Sequence, residues 1–254
     1  MLVMLNDIEQ YWTNRAEGYS NVNKKELSTI QKNKWIYEIE NKLKEIKKPK
    51  ESINILDIGC GPGFFSIILA EAGYKVTAID YTSKMLEKAK ENSGDLVSKI
   101  NFIKMDAQNL QFNDESFDVV VSRNLTWNLE KPFTAYKEWI RVLKKKGILL
   151  NFDANWYHHL FDDEKKKAYE NDRKTVANSN LEDHYTCTDI ESMEEIARKV
   201  PLSKIMRPDW DISILNDIGV TSINVDLEVW KRLWSEEEKV NYASTPMFLI
   251  KVIK

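Results

Sequence analysis

The sequence predicts an α/β fold: a doubly wound, mostly parallel seven-stranded sheet with a helical cap insertion. Three observations carry that expectation. From Ile53 onward, short β-branched apolar runs alternate with segments of helical period, the pattern of a parallel sheet covered on both faces. Glycines follow the first of these runs at once, as a strand-to-helix turn requires. Between residues 154 and 207 the rhythm stops, replaced by charged helix-prone stretches, and it resumes from residue 208.

Each element has its own local reason. Residues 1–50 read as a polar helical segment covering the site. Leu27, Ile30, Trp35, Ile36, Ile39 and Leu43 fall on one helical face, with lysines outward as a solvated face. Pro49 is expected to end that helix, because its ring removes a donor and blocks the preceding turn. Ile53–Ile58 is the first buried strand, and Phe64–Ala72 is a helix closing at Gly73. Tyr74–Asp80 is the second strand, and Ser83 caps a helix running to about Asn92. Asn101–Met105 and Phe117–Ser122 are the third and fourth strands. Pro132–Leu143 is a helix with proline in its first turn, and Gly147–Asp153 is the fifth strand. Residues 51–153 thus form one half of the sheet. Residues 154–207, with helices near Asp162–Asp172 and Ser192–Lys199, form the insertion, expected over the sheet's edge. Residues 208–254 complete the sheet with a helix at Asp209–Asn216 and strands at Gly219–Val225 and Pro246–Ile253.

Composition excludes several function classes. The 254 residues suit one or two domains. With 37 basic and 40 acidic residues the net charge is −3, so holding nucleic acid mainly by neutralising phosphates is not expected. The two cysteines, Cys60 and Cys187, are too few and too far apart for a disulfide framework or a Cys-based zinc site. Met1 to Gln10 lacks the basic and apolar regions of a signal peptide, and no run of about 18 apolar residues could span a membrane. A cytoplasmic protein in a reducing compartment is the expectation.

The chemistry concentrates at Ile55-Leu56-Asp57-Ile58-Gly59-Cys60-Gly61-Pro62-Gly63-Phe64. Its Gly-x-Gly-x-Gly spacing differs from the Gly-x-Gly-x-x-Gly that seats a pyrophosphate at a helix N-terminus. Asp57 precedes the first glycine by two residues. Asp80 ends the second strand, where a carboxylate accepts hydrogen bonds from both hydroxyls of a ribose. Asp106-Ala107 closes the third strand, where a side chain meets an exocyclic amine. An isolated aspartate at a strand end is ordinarily a turn former; the ordered series within one βαβ frame is what points to a site.

That series, with Phe117 to Val121 and the basic turn Lys144-Lys145-Lys146-Gly147, resembles the motifs of class I S-adenosylmethionine-dependent methyltransferases. The style is that of the methyltransferase domain of ubiquinone and menaquinone biosynthesis enzymes. The opening Tyr11-Trp12-Thr13-Asn14-Arg15-Ala16-Glu17-Gly18-Tyr19 resembles the aromatic segment that precedes such domains. The resemblance is dense over residues 53–153, looser at 10–20 and 208–254, and absent from the insertion.

The resemblance implies a Rossmann-like methyltransferase fold and S-adenosyl-L-methionine as cofactor. Gly59, Cys60 and Gly61 then pass under its methionine portion, Asp57 lies near its ammonium, and Asp80 takes its ribose. Asp106 and Ala107 meet its adenine, Tyr81 and Met85 add apolar contact, Tyr11 and Tyr19 fold over it, and Arg123 reaches it from the fourth strand. Acids without a phosphate-binding lysine suit a ligand that has no phosphate.

Methyl transfer is an in-line displacement for which positioning can supply up to about 7–11 kcal/mol. A base is needed only where the nucleophile arrives protonated. Asn124, in Asn124-Leu125-Thr126-Trp127, is the candidate to orient the acceptor, by comparison with the polar residue of amino-methyltransferase loops. His158 is the candidate base. His158, His159 and His184 with Asp162 and Asp163 are read as surface or cap residues, and no metal is assigned. The partner is a small-molecule acceptor held under the cap, whose methylated atom and identity stay open, as does the oligomeric state. Two alternatives stand beside this: a non-catalytic S-adenosylmethionine-binding module, and an NAD-dependent oxidoreductase.

Overall fold

The computed structural model describes residues 2–185 and 188–254. Cys187 lies outside them. The chain begins with two helices, α1 (Leu2–Leu27) and α2 (Gln31–Lys42). The sheet comprises β1 (Asn54–Ile58), β2 (Lys75–Asp80), β3 (Ile100–Lys104), β4 (Phe117–Arg123), β5 (Leu143–Asp153), β6 (Ser222–Asp226) and β7 (Phe248–Ile253). Between them run α3 (Phe64–Glu71), α4 (Ser83–Ser93), α5 (Pro132–Val142), α6 (Asp163–Ala177), α7 (Ile190–Ala197), α8 (Asp209–Asp217), α9 (Val229–Leu233) and α10 (Glu236–Asn241).

The strand order is β3-β2-β1-β4-β5-β7-β6. The first five strands pair in parallel, while β7 lies antiparallel between β5 and β6. From β1 the chain winds outward to β3, then returns to place β4 on the other side. The switch point, where an open α/β sheet leaves a crevice, therefore lies over the carboxyl ends of β1 and β4. β4 is buried from Phe117 to Ser122, as a strand covered on both faces must be. On one face Trp35, Phe65 and Phe152 meet edge-on with centroids 5.1–5.7 Å apart. Such pairs contribute about 0.5–1.5 kcal/mol each beyond their buried area. The other face packs Tyr136, Trp139 and Leu149.

The structure corrects several sequence expectations. The N-terminal segment is broken at residues 28–30, where the Ser28 and Thr29 hydroxyls donate to the carbonyls of Lys25 and Glu26. These local bonds compete with helix continuation. Trp35, Ile39 and Leu43 keep the buried face, but Ile30 falls in the break and is 70% exposed. α2 stops at Lys42, well before Pro49. The chain turns at Leu43, whose carbonyl accepts the Ile46 N–H at 2.9 Å, and Pro49 instead precedes a single helical turn at Lys50–Ser52. Thr82, not Ser83, occupies the cap position of α4. The lysine run 144–146 lies within β5, beside an irregularity of its pairing with β4. Two short helices, α9 and α10, occupy the stretch between the last two strands.

Residues 154–207 are helical in the described part, but they do not lie over a sheet edge. Met193, Ile196, Ala197 and Val200 pack with Ile8 and Tyr11 of α1 and with Trp127. This puts the segment above the strand ends, because Trp127 belongs to the turn leaving β4. No helix among the described residues is long and apolar enough to cross a membrane.

Candidate functional site

The glycine turn after β1 is shaped by backbone that only glycine adopts easily. Gly59, Gly61 and Gly63 have φ of 67°, 51° and 93°. At Gly63 a Cβ would stand 3.1 Å from the Ala89 Cβ of α4, so the same residue lets the two helices approach. The turn is held by its neighbours. Asp80 Oδ2 accepts the Gly61 N–H at 2.9 Å, and its Oδ1 accepts the Thr82 N–H at 2.8 Å. The Asn92 amide donates to the Pro62 carbonyl at 2.9 Å and to Ser20 of α1 at 3.0 Å, tying α1 across the turn.

A cleft opens above this turn. Of the residues expected to hold the cofactor, Tyr19, Asp57, Gly59, Cys60, Gly61, Asp80, Tyr81, Met85, Asp106, Ala107 and Arg123 line it. Asp57 is buried and accepts the Ser66 hydroxyl at 2.5 Å. Burial pushes its carboxyl up to about 7, against that hydrogen bond. Burial likewise raises Asp80, opposed by the two backbone N–H groups it accepts. Asp106 Oδ1 accepts the Gln108 N–H at 2.8 Å. Burial also raises the Cys60 thiol, consistent with a plain loop residue rather than a nucleophile. Arg123 pairs with Glu26 of α1 at 3.0 Å and lies 4.5 Å over the Trp35 ring. Burial works against its charge, but Glu26 and its other neighbours raise its pKa above the usual value.

Tyr11 is the exception. It lines a second, aromatic chamber with Trp127, Trp156, Tyr157, His184, Tyr185 and Tyr242. This chamber is contiguous with the cleft, since Trp12, Tyr19 and Asn124 line both. Asn124 takes a left-handed φ of 55°, its N–H donates to the Phe152 carbonyl at 2.8 Å, and its carbonyl accepts the Trp127 indole N–H at 2.9 Å.

The candidate base is not in the site. His158 lines neither cavity, and its Nδ1 faces the Ser203 carbonyl at 3.2 Å. His159 is buried behind the chamber, stacked on Tyr169 at 4.1 Å, and burial lowers its pKa. His184 alone of the three lines the chamber. The three do not converge, and no cluster of metal-binding side chains occurs among the described residues.

Residues 56–151 match the family model of a methyltransferase domain. They are a methyltransferase domain. That stretch is similar to S-adenosylmethionine-dependent methyltransferases, whose cofactor is S-adenosylmethionine. The chain is 34% identical over 143 residues to YqeM of Bacillus subtilis, covering 55% of each protein. It is 37% identical over 103 residues to the demethylmenaquinone methyltransferase of Staphylococcus epidermidis, covering 39% of this chain and 42% of that one. The chain thus spans about half the length of the curated relatives it matches. The Haemonchus contortus phosphoethanolamine N-methyltransferase 2, solved with S-adenosyl-L-methionine, superposes with a TM-score of 0.56 at 18% identity, over 86% of this chain and 52% of that one. At that identity the likeness is one of fold.

Two side chains of the cleft carry unspent polar atoms. Arg123 Nε and Asn128 Oδ1 are buried without partners among the side chains lining the cleft. They leave a donor for a carboxylate and an acceptor for an amine. Sequence reasoning missed Asn128 because it sits in an irregular turn with no spacing signal. It also missed Glu26, one of several acids on α1, whose role depends on α1 folding back over β4.

Proposed function

We propose that this protein is an S-adenosylmethionine-dependent methyltransferase acting on a small-molecule acceptor. The observation that carries this is the junction of the two cavities at Trp12, Tyr19 and Asn124. One cavity suits an adenosyl amino acid and the other is walled by aromatic rings, so donor and acceptor meet at that junction. A binding module without turnover needs no second chamber, and the domain match across the glycine turn sets aside the NAD alternative.

In this reading Asp80 holds the ribose hydroxyls. Asp106 and Asn128 face the adenine, Asp57 the ammonium and Arg123 the carboxylate. When bound, the cofactor supplies an electrophilic methyl on a sulfonium. The chain's own contribution is to hold the acceptor in line with that methyl and to keep water out. α1 and the described part of residues 154–207 form the cap, with Asn124 orienting the acceptor.

S-adenosylhomocysteine is expected to raise the melting temperature, while NADH at the same concentration leaves it unchanged. The reverse pattern would overturn the assignment.

The Asp57 carboxyl adds a pH signature. Its folded pKa of about 7 lies above an ordinary aspartate's value of about 3.9, so between these the folded protein holds a proton that the unfolded chain has released. Stability contributed by this group therefore falls as pH rises from about 4 to about 7. An ammonium beside it favours the carboxylate, so cofactor binding expels the proton. Log affinity for S-adenosylhomocysteine is expected to rise with pH at a slope approaching about one below pH 7, then flatten. Calorimetry in buffers of different ionisation enthalpy reads the released proton, and a flat profile in Asp57→Asn completes the test.

A further inference from the structure

The aromatic chamber contains polar groups that packing does not use. Asn124 Oδ1 and Trp156 Nε1 are both buried and unpartnered, an acceptor and a donor in one lining. A third feature runs outward from the wall. The Tyr242 hydroxyl lies 3.1 Å from His184 Nδ1, and His184 Nε2 lies 3.7 Å from Glu237 Oε2. Phenol, imidazole and carboxylate stand in sequence, the first two lining the chamber.

This row is held in place from both sides. The His184 N–H donates to Asn241 Oδ1 at 3.1 Å, and the Asn241 amide donates to the carbonyls of Glu182 and Glu237. Glu237 Oε1 accepts the Glu182 N–H at 2.9 Å. Around the row stand Lys25 of α1, 3.4 Å from Glu237, and Arg173 of α6, paired with Asp183 at 2.8 Å.

We infer that Tyr242, His184 and Glu237 form a proton relay that accepts the proton of an acceptor hydroxyl carried on a flat ring. This deepens the methyltransferase reading and rests on it. Glu237 favours the tautomer with the proton on Nε2, leaving the Nδ1 lone pair toward Tyr242. Burial raises the Tyr242 pKa, so the residue stays a phenol and passes a proton rather than standing as a tyrosinate. A hydroxyl is both donor and acceptor, and the chamber leaves one of each unspent. Among the described residues no carboxylate lines the chamber to pair with an ammonium, and the rings present flat faces.

The step balances. The acceptor O–H bond breaks as its O–CH3 bond forms, and the sulfonium C–S bond breaks to leave a neutral thioether. The acceptor proton moves to the Tyr242 oxygen while the Tyr242 proton moves to His184 Nδ1. The imidazolium, facing Glu237, then returns its proton to water through a side chain 19% exposed.

The test measures transfer of labelled methyl from S-adenosylmethionine to catechol, 4-nitrocatechol and phenethylamine, after calorimetry confirms cofactor binding. Catechol is expected to be methylated. His184→Gln should lower kcat on catechol by about 10²- to 10⁴-fold with KM changed by less than about threefold. On 4-nitrocatechol, whose hydroxyl is already ionised near pH 8, the same variant should lose less than about fivefold. Tyr242→Phe should follow the same split. Equal losses on both phenols would make His184 structural and overturn the relay. Transfer only to the amine, or to none of the three by cofactor-saturated protein, overturns it too. Failure to bind S-adenosylmethionine at all would instead sink the underlying reading.

Discussion

Arg207→Ala is expected to cost about 3–5 kcal/mol of folding stability, because it strands two buried carboxylates. Arg207, Asp153 and Asp211 are fully buried. The guanidinium donates to Asp153 Oδ2 at 2.6 Å and forks onto Asp211 at 2.7 and 2.9 Å. Asp211 also accepts the Tyr136 hydroxyl at 2.6 Å, and Asp153 the Trp127 N–H at 3.0 Å. Removing the cation thus disturbs the end of β5, the start of α8 and the wall of the aromatic chamber together. For a chain of this size about 1 kcal/mol moves the melting temperature by about 2–4 °C, so a drop of about 6–20 °C is expected. Arg207→Met should do no better, since side-chain volume is not what is lost. Adding Asp153→Asn and Asp211→Asn to Arg207→Met should recover part of the deficit by removing the stranded charges. A shift below about 2 °C in the single variant would show that the network carries little stability.

That network marks where sequence reading runs out. The glycine turn, Asp57, Asp80 and Asp106 were legible because they recur at the ends of consecutive strands, and strand alternation fixes which end faces the crevice. Asp153 could be placed at the mouth of β5 by the same logic. Its partner Arg207 lies 54 residues on, at the far end of a segment with no period. Histidine shows the same limit. His158 was attractive because it closely follows β5, yet the turn at His158–Leu160 sends its ring to the Ser203 carbonyl. His184 reaches the chamber because the 182–184 loop is latched to α10, a helix too short for its period to be read. Tyr242 immediately follows that helix and carries no motif. Long-range hydrogen bonds, not spacing, assemble the aromatic chamber.

Asp80→Ala is expected to weaken S-adenosylhomocysteine binding roughly 10- to 150-fold, the scale of about 1.5–3 kcal/mol for hydrogen bonds to a charged group. The structure makes this variant ambiguous unless it is designed with care. Both carboxylate oxygens accept backbone N–H groups, from Gly61 and Thr82, so their loss also loosens the turn beneath the cofactor. An analogue lacking the ribose 2′- and 3′-hydroxyls separates the two effects. In the unaltered protein the analogue should bind more weakly than S-adenosylhomocysteine. In Asp80→Ala the two ligands should bind alike, because the partner of those hydroxyls is gone. If the variant weakens both ligands by the same factor and the gap between them persists, Asp80 only shapes the turn and the ribose is held elsewhere. The direct role rests on geometry: each carboxylate oxygen carries a second lone pair beyond the one its backbone N–H uses, and Asp80 lines the cleft. A carboxylate fixed by two backbone N–H groups is already oriented before ligand arrives, so little ordering cost is left for binding to meet.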